Sequence, residues 1–132
     1  LAASCPNDFI FVLSDRDTIK DFVSPLRSSA YLNIASINTA DHRLVVLHEF
    51  AHIYGGLADE YVEESISVDL NQFLNCDIES CPRWNFFNGT GCFEGCGEAK
   101  FYRSIENGIM RNYIVGREYG VWNEFLLQQP LL

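Results

Sequence analysis

His48-Glu49-Phe50-Ala51-His52 is the stretch whose residue types and spacing carry the most chemistry. Two histidines four apart fall on one face of a helix, about 6 Å apart along its axis, so their imidazoles can converge on one cation. The glutamate beside the first histidine can then reach a water on that cation. His-Glu-x-x-His is the spacing with which a helix presents two zinc ligands and a base that works on zinc-activated water. The bland alternative is a pair of surface or core histidines on an ordinary amphipathic helix. It weakens once the residues downstream are counted.

A catalytic zinc takes three protein ligands and a water. The third histidine, His42, lies six residues before His48, about 600° of helical rotation away, so it points elsewhere. The remaining ligand is then a carboxylate, with cysteine or tyrosine less suited. Asp59 is the first candidate, because Gly55-Gly56 can end the helix and residues 56–59 can bring the chain back. Glu60 is the alternative third ligand, and Glu63 or Glu64 follow.

The elements needed to hold this set can be read around it. Asp41 is placed to cap a helix over residues 42–54, with Leu44, Leu47, Ala51 and Tyr54 as its buried stripe. Residues 9–13 and 30–37 read as strands, and residues 59–73 as partly helical. Residues 108–113 read as a turn. Residues 117–129 read as a closing helix with Tyr119, Trp122, Leu126 and Leu127 inward. Strands followed by helices without regular alternation predict an α+β domain, with residues 1–132 as one catalytic unit.

The run from His48 through Gly55-Gly56-Leu57-Ala58-Asp59-Glu60-Tyr61 resembles the signature of the IgA-peptidase-type zinc metallopeptidases, a zincin branch close in plan to the metzincins. Phe9-Ile10-Phe11-Val12-Leu13-Ser14 and Leu26-Arg27-Ser28-Ser29-Ala30-Tyr31 resemble that family's upstream segments. Asn75-Cys76, Cys81-Pro82-Arg83-Trp84 and Cys92-Phe93-Glu94-Gly95-Cys96 resemble its cysteine-bearing loop. Tyr102-Arg103-Ser104 with Gly108-Ile109-Met110-Arg111 resembles its methionine-turn segment.

The resemblance implies a small twisted sheet over an active-site helix, a methionine turn with Met110 as the packed floor of the site, and a C-terminal helix. It also implies a zinc endopeptidase. The metzincin pattern places a histidine three residues after the glycine that follows the helix. Here that count reaches Ala58 from Gly55 and Asp59 from Gly56, so the loop is one residue longer and its ligand a carboxylate.

In that scheme one zinc ion is held by His48, His52 and Asp59. Glu49 is the general base, and Tyr113 or Tyr61 the oxyanion donor. Residues 30–37 would form an edge strand for an extended peptide or protein substrate. Arg103 and Arg111 are expected in salt bridges, outside the catalysis. A zinc-stabilised binding module without turnover, or a non-peptidase zinc amidase, are the competing functions. The intact Glu49 argues against the first.

Composition narrows the partners. A net charge of −9 repels phosphate backbones, so no nucleic-acid partner is expected. No apolar run reaches the roughly 18 residues of a membrane span. A monomer is expected. Cys76, Cys81, Cys92 and Cys96 lie in one glycine-rich segment, with four, ten and three residues between them. Two disulfides are preferred over a four-cysteine zinc site, whose short paired gaps are missing. Disulfides place the protein outside the cell or in the cell envelope. Cys5 has no evident partner, and no apolar stretch precedes it to form a signal peptide. Asn88-Gly89-Thr90 is a glycosylation sequon, meaningful in a eukaryotic secretory host.

Overall fold

The computed structural model describes residues 6–129; Cys5 and the start of the chain lie outside them. The elements are β1 (Ile10–Ser14), α1 (Thr18–Val23), β2 (Ser29–Tyr31), β3 (Ile34–Asn38), α2 (Val45–Gly55), β4 (Phe93–Cys96), β5 (Glu98–Arg103), α3 (Ile109–Asn112) and α4 (Val121–Gln128). This is a small α+β arrangement. One sheet runs β1-β3-β2, with β1 parallel and β2 antiparallel to β3. The other is the antiparallel pair β4-β5.

The strand expected over residues 30–37 is a hairpin. Leu32 takes a left-handed φ of 52° and reverses the chain, so β3 becomes the centre of the sheet and, of the expected strand, only the β2 part lies at an edge. The helix expected from residue 42 starts three residues later. Asp41 does not cap it; its carboxylate accepts bonds from Ser28 Oγ at 3.2 Å and from the Tyr113 hydroxyl at 3.3 Å.

The buried face of α2 is also rotated from the expected stripe. Val45, His48, Glu49, Ala51 and Ile53 are buried, whereas Leu47 is 41% exposed. Val45 and Ile53 pack on Ala35 and Ile37 of β3. Ala51 packs on Leu57 and Met110. The helix therefore wedges its histidines between the sheet and the segment around Met110.

Two glycines close α2. Gly56 takes φ 58°, and its N–H reaches the carbonyls of Ala51 and His52. At Gly55 a Cβ would lie 2.4 Å from Leu127 Cδ2, so its bareness lets α4 lie against the helix end. α4 starts at Val121, where Gly120 precedes it with φ 88°, rather than at residue 117. Trp122 is buried as expected. The fully buried Asn123 beside it was not anticipated.

Residues 59–73 form no helix. Their backbone groups are recruited elsewhere: Glu60 N–H donates to Met110 O, and Glu63 N–H to Gly97 O. The cysteine segment contains the β4-β5 hairpin, and residues 109–112 of the expected turn form the single helical turn α3. Arg103 and Arg111 bond mainly to carbonyl oxygens rather than to carboxylates.

All four cysteines of the segment pair, as Cys76–Cys96 and Cys81–Cys92. Cys81 packs with Trp84 and Trp122, so the second bridge ties the hairpin segment to α4. Loops of this size restrict the unfolded chain by roughly 3 kcal/mol per bridge. Cys81→Ser with Cys92→Ser should therefore lower the denaturant midpoint by that stability, read from a urea titration by tryptophan fluorescence.

Candidate metal centre

The three expected ligands meet. His48 Nε2 and His52 Nε2 are 3.2 Å apart, and Asp59 Oδ1 is 3.0 Å from the first and 3.2 Å from the second. Among the described residues this is the one group of three or more such side chains that could hold a metal ion.

The orientation of each ring is set from behind. His48 Nδ1 lies 3.0 Å from Ile109 O, and His52 Nδ1 lies 2.6 Å from Leu57 O. A carbonyl only accepts, so each Nδ1 carries the hydrogen, which leaves Nε2 of each ring facing Asp59 as the atom whose lone pair, in the neutral imidazole, a metal ion would take. Three electron-rich atoms then face one another in a largely buried pocket. Beyond these two imidazoles Asp59 Oδ1 has no hydrogen-bond partner. Such a triangle is balanced by positive charge among the three atoms, either a metal ion or a proton shared between an imidazole and Asp59. Tetrahedral zinc, with bonds of about 2.0–2.1 Å, separates its ligand atoms by about 3.3 Å. The observed 3.0–3.2 Å edges fit that requirement. Backbone carbonyls locking the ligand histidines are the usual support of such centres.

Burial works against ionising Asp59, yet the bonds and charge of His48 and His52 hold its carboxyl well below the usual range. Burial likewise opposes charging His52, but Asp59 and the Leu57 carbonyl raise its pKa. Glu49 is 5% exposed, and burial raises its carboxyl pKa despite the nearby histidines. A raised pKa makes this carboxylate a stronger proton acceptor than an ordinary exposed one.

Asp59 owes its position to residues far along the chain. Asn75, fully buried, clamps the preceding residue on both sides: its Oδ1 accepts from Ala58 N–H at 2.8 Å, and its Nδ2 donates to Ala58 O at 2.9 Å. The following residue, Glu60, is also fully buried. Its Oε1 accepts from Asn123 Nδ2 at 2.7 Å and from Asn75 Nδ2 at 3.3 Å. Burial pushes the Glu60 carboxyl up to about 7, outweighing these amide bonds. Glu60 thus belongs to an internal polar network and is absent from the ligand triangle, and so are Glu63 and Glu64.

Asn75→Ala would strand the Ala58 N–H and C=O in the interior. It should cost roughly 2–4 kcal/mol in thermal or urea unfolding, and should weaken metal binding as the Asp59 segment loosens.

Other expected residues fall nearby in different ways. Met110 is fully buried and packs with Ala51 and Leu57. Its own turn supplies two carbonyls, Ile109 O to His48 and Met110 O to Glu60 N–H. Tyr113 and Tyr61 both line the cleft beside the ligands. Tyr113 lies 5.2 Å from the His48 ring, centroid to centroid, with its hydroxyl held on Asp41. The Tyr61 hydroxyl accepts from Arg27 Nη2 at 2.6 Å, and burial together with Asp59 raises its pKa. His42 takes no part in the triangle; its Nδ1 accepts from Leu44 N–H.

Sequence reasoning missed Asn75, Asn123 and the carbonyls of Leu57 and Ile109. Only Asn123 carried a readable signal, an amide next to Trp122 on the apolar side of a helix, which requires a buried partner. No protein-family profile matches the chain, and no curated protein matches it.

Proposed function

We infer that the protein is a zinc-dependent endopeptidase on a zincin-like fold, of the IgA-peptidase type that its motif resembles. The observation that carries this reading is the triangle of His48 Nε2, His52 Nε2 and Asp59 Oδ1 with Glu49 on the same helix. When bound, zinc supplies Lewis acidity towards a peptide carbonyl and lowers the pKa of a water.

The chain's own residues account for the rest. Glu49 takes the proton of the attacking water on its carboxylate and passes it to the leaving amine. β2 is an edge strand whose residues, with Leu32 beyond it, wall the cleft. An extended peptide can add to it through main-chain hydrogen bonds, which places a scissile bond beside the ligands. Tyr113, held by Asp41, and Tyr61, held by Arg27, are the hydroxyls near enough to assist the developing oxyanion.

Two disulfides in a small domain are compatible with an extracellular setting. Among the described residues no helix is long and apolar enough to cross a membrane. The deciding experiment is digestion of an unfolded, reduced protein with and without a chelator. Cleavage that stops on chelation and returns with zinc supports the reading. Cleavage indifferent to chelator overturns it. Turnover of a small amide without peptide cleavage would move the activity to the amidase class.

A further inference from the structure

The cleft beside the ligand triangle encloses about 830 Å³, a volume suited to several residues of an extended chain. Its charged wall residues are Arg27 and Arg111 against Glu49 and Asp59. Both carboxylates are committed, Asp59 to the histidines and Glu49 to proton transfer. Arg27 is offset only by a 3.8 Å salt bridge to Glu63 outside the cleft lining, and among the described residues no salt bridge is seen at Arg111, in a chain of net charge −9.

Arg111 donates Nη1 to Glu106 O at 2.9 Å and to Asn107 Oδ1 at 2.8 Å. Arg27 is freer. Its Nη2 donates to Tyr61 O–H, and its guanidinium carbon lies 5.9 Å from the Tyr61 ring centre. Its salt bridge to Glu63 is long, 3.8 Å, and not a hydrogen bond, and the side chain is 72% exposed. A guanidinium offers five N–H donors in a planar fork, so Arg27 retains donors for a second, bidentate partner.

Position adds to this. Arg27 stands two residues before β2, so a peptide paired with that edge passes the guanidinium. Tyr61, which bonds the arginine, lies two residues after Asp59, so this contact links the guanidinium to the segment that carries Asp59.

We propose that Arg27 recognises a carboxylate on the bound peptide, so that the preferred substrates carry an acidic side chain or a free C-terminal carboxylate close to the scissile bond. The proposal rests on the peptidase reading. It is distinctive because the rest of this acidic chain repels such substrates. Without Arg27, neutral or basic peptides would be favoured.

The test uses the zinc-loaded protein and matched fluorogenic peptides. One set places Glu, Gln or Lys at each position within three of the scissile bond. A second set ends in a free carboxylate or an amide. Charge-assisted pairing predicts about a tenfold higher kcat/KM for the carboxylate member at one position. The Glu/Gln set reports a side-chain source, and the acid/amide set a terminal source. Arg27→Gln should bring the ratio to one or below, and Arg27→Lys should restore part of it.

A wild-type enzyme indifferent to the carboxylate, or a preference that survives Arg27→Gln, overturns the proposal while leaving the peptidase intact. If no peptide is cut, the peptidase reading fails, and the same labelled peptides are titrated by fluorescence anisotropy. Tighter binding of the carboxylate member, lost in Arg27→Gln, keeps Arg27 as an acidic-ligand site. Equal binding removes it.

Discussion

Glu49→Gln should reduce peptide turnover by about a thousandfold while leaving zinc content at the wild-type level. The amide keeps the shape of the side chain but has no basic oxygen to take the proton of water. Glu49 is buried on α2 between the two histidines and lines the cleft, while the ligand triangle is made entirely by other residues. The proposed proton transfer and metal binding therefore rest on different residues, so one can be removed without the other. Single-turnover rates on a quenched peptide, beside metal analysis of the same sample, measure both. A variant that retained full turnover would remove Glu49 from the mechanism. One that lost its zinc would make Glu49 a structural support of the centre.

Asp59→Asn should weaken zinc binding by at least about a hundredfold, whereas Glu60→Gln should bind zinc within a fewfold of wild type. The pair is decisive because the two acids are neighbours in sequence with opposite surroundings. Asp59 turns Oδ1 towards both Nε2 atoms, without another partner. Glu60 turns inward to Asn75 and Asn123. Competition against a fluorescent chelator reads both affinities. The reverse order of losses would transfer the third ligand to Glu60 and contradict the geometry at Asp59.

The parts of the site that were legible in the sequence depend on local rules. Four-residue spacing puts His48 and His52 on one face of any helix, and Gly55-Gly56 ends that helix because a left-handed residue suits glycine. Asp59 followed from the length of the resulting turn. The disulfide segment followed from the crowding of four cysteines among glycines.

What stayed hidden depends on partners distant in the chain. Asp41 looked like a helix cap because it precedes the motif, yet Ser28 and Tyr113 claim its carboxylate, and the helix starts later. Residues 59–73 mix acidic and apolar side chains as a surface helix does, but Met110 and Gly97 take their backbone bonds. The Asn75 clamp joins residues 17 apart, and no local pattern announces it. The β4-β5 hairpin was obscured by the cysteines and glycines that also define the cross-linked segment.

The central claim is that His48, His52 and Asp59 hold one metal ion through Nε2, Nε2 and Oδ1. An anomalous-difference map collected at the zinc edge, from crystals grown with stoichiometric zinc, tests it most directly. The account predicts a single strong peak within about 2.0–2.2 Å of all three atoms. An empty triangle under those conditions, or zinc seated elsewhere on the chain, would contradict it.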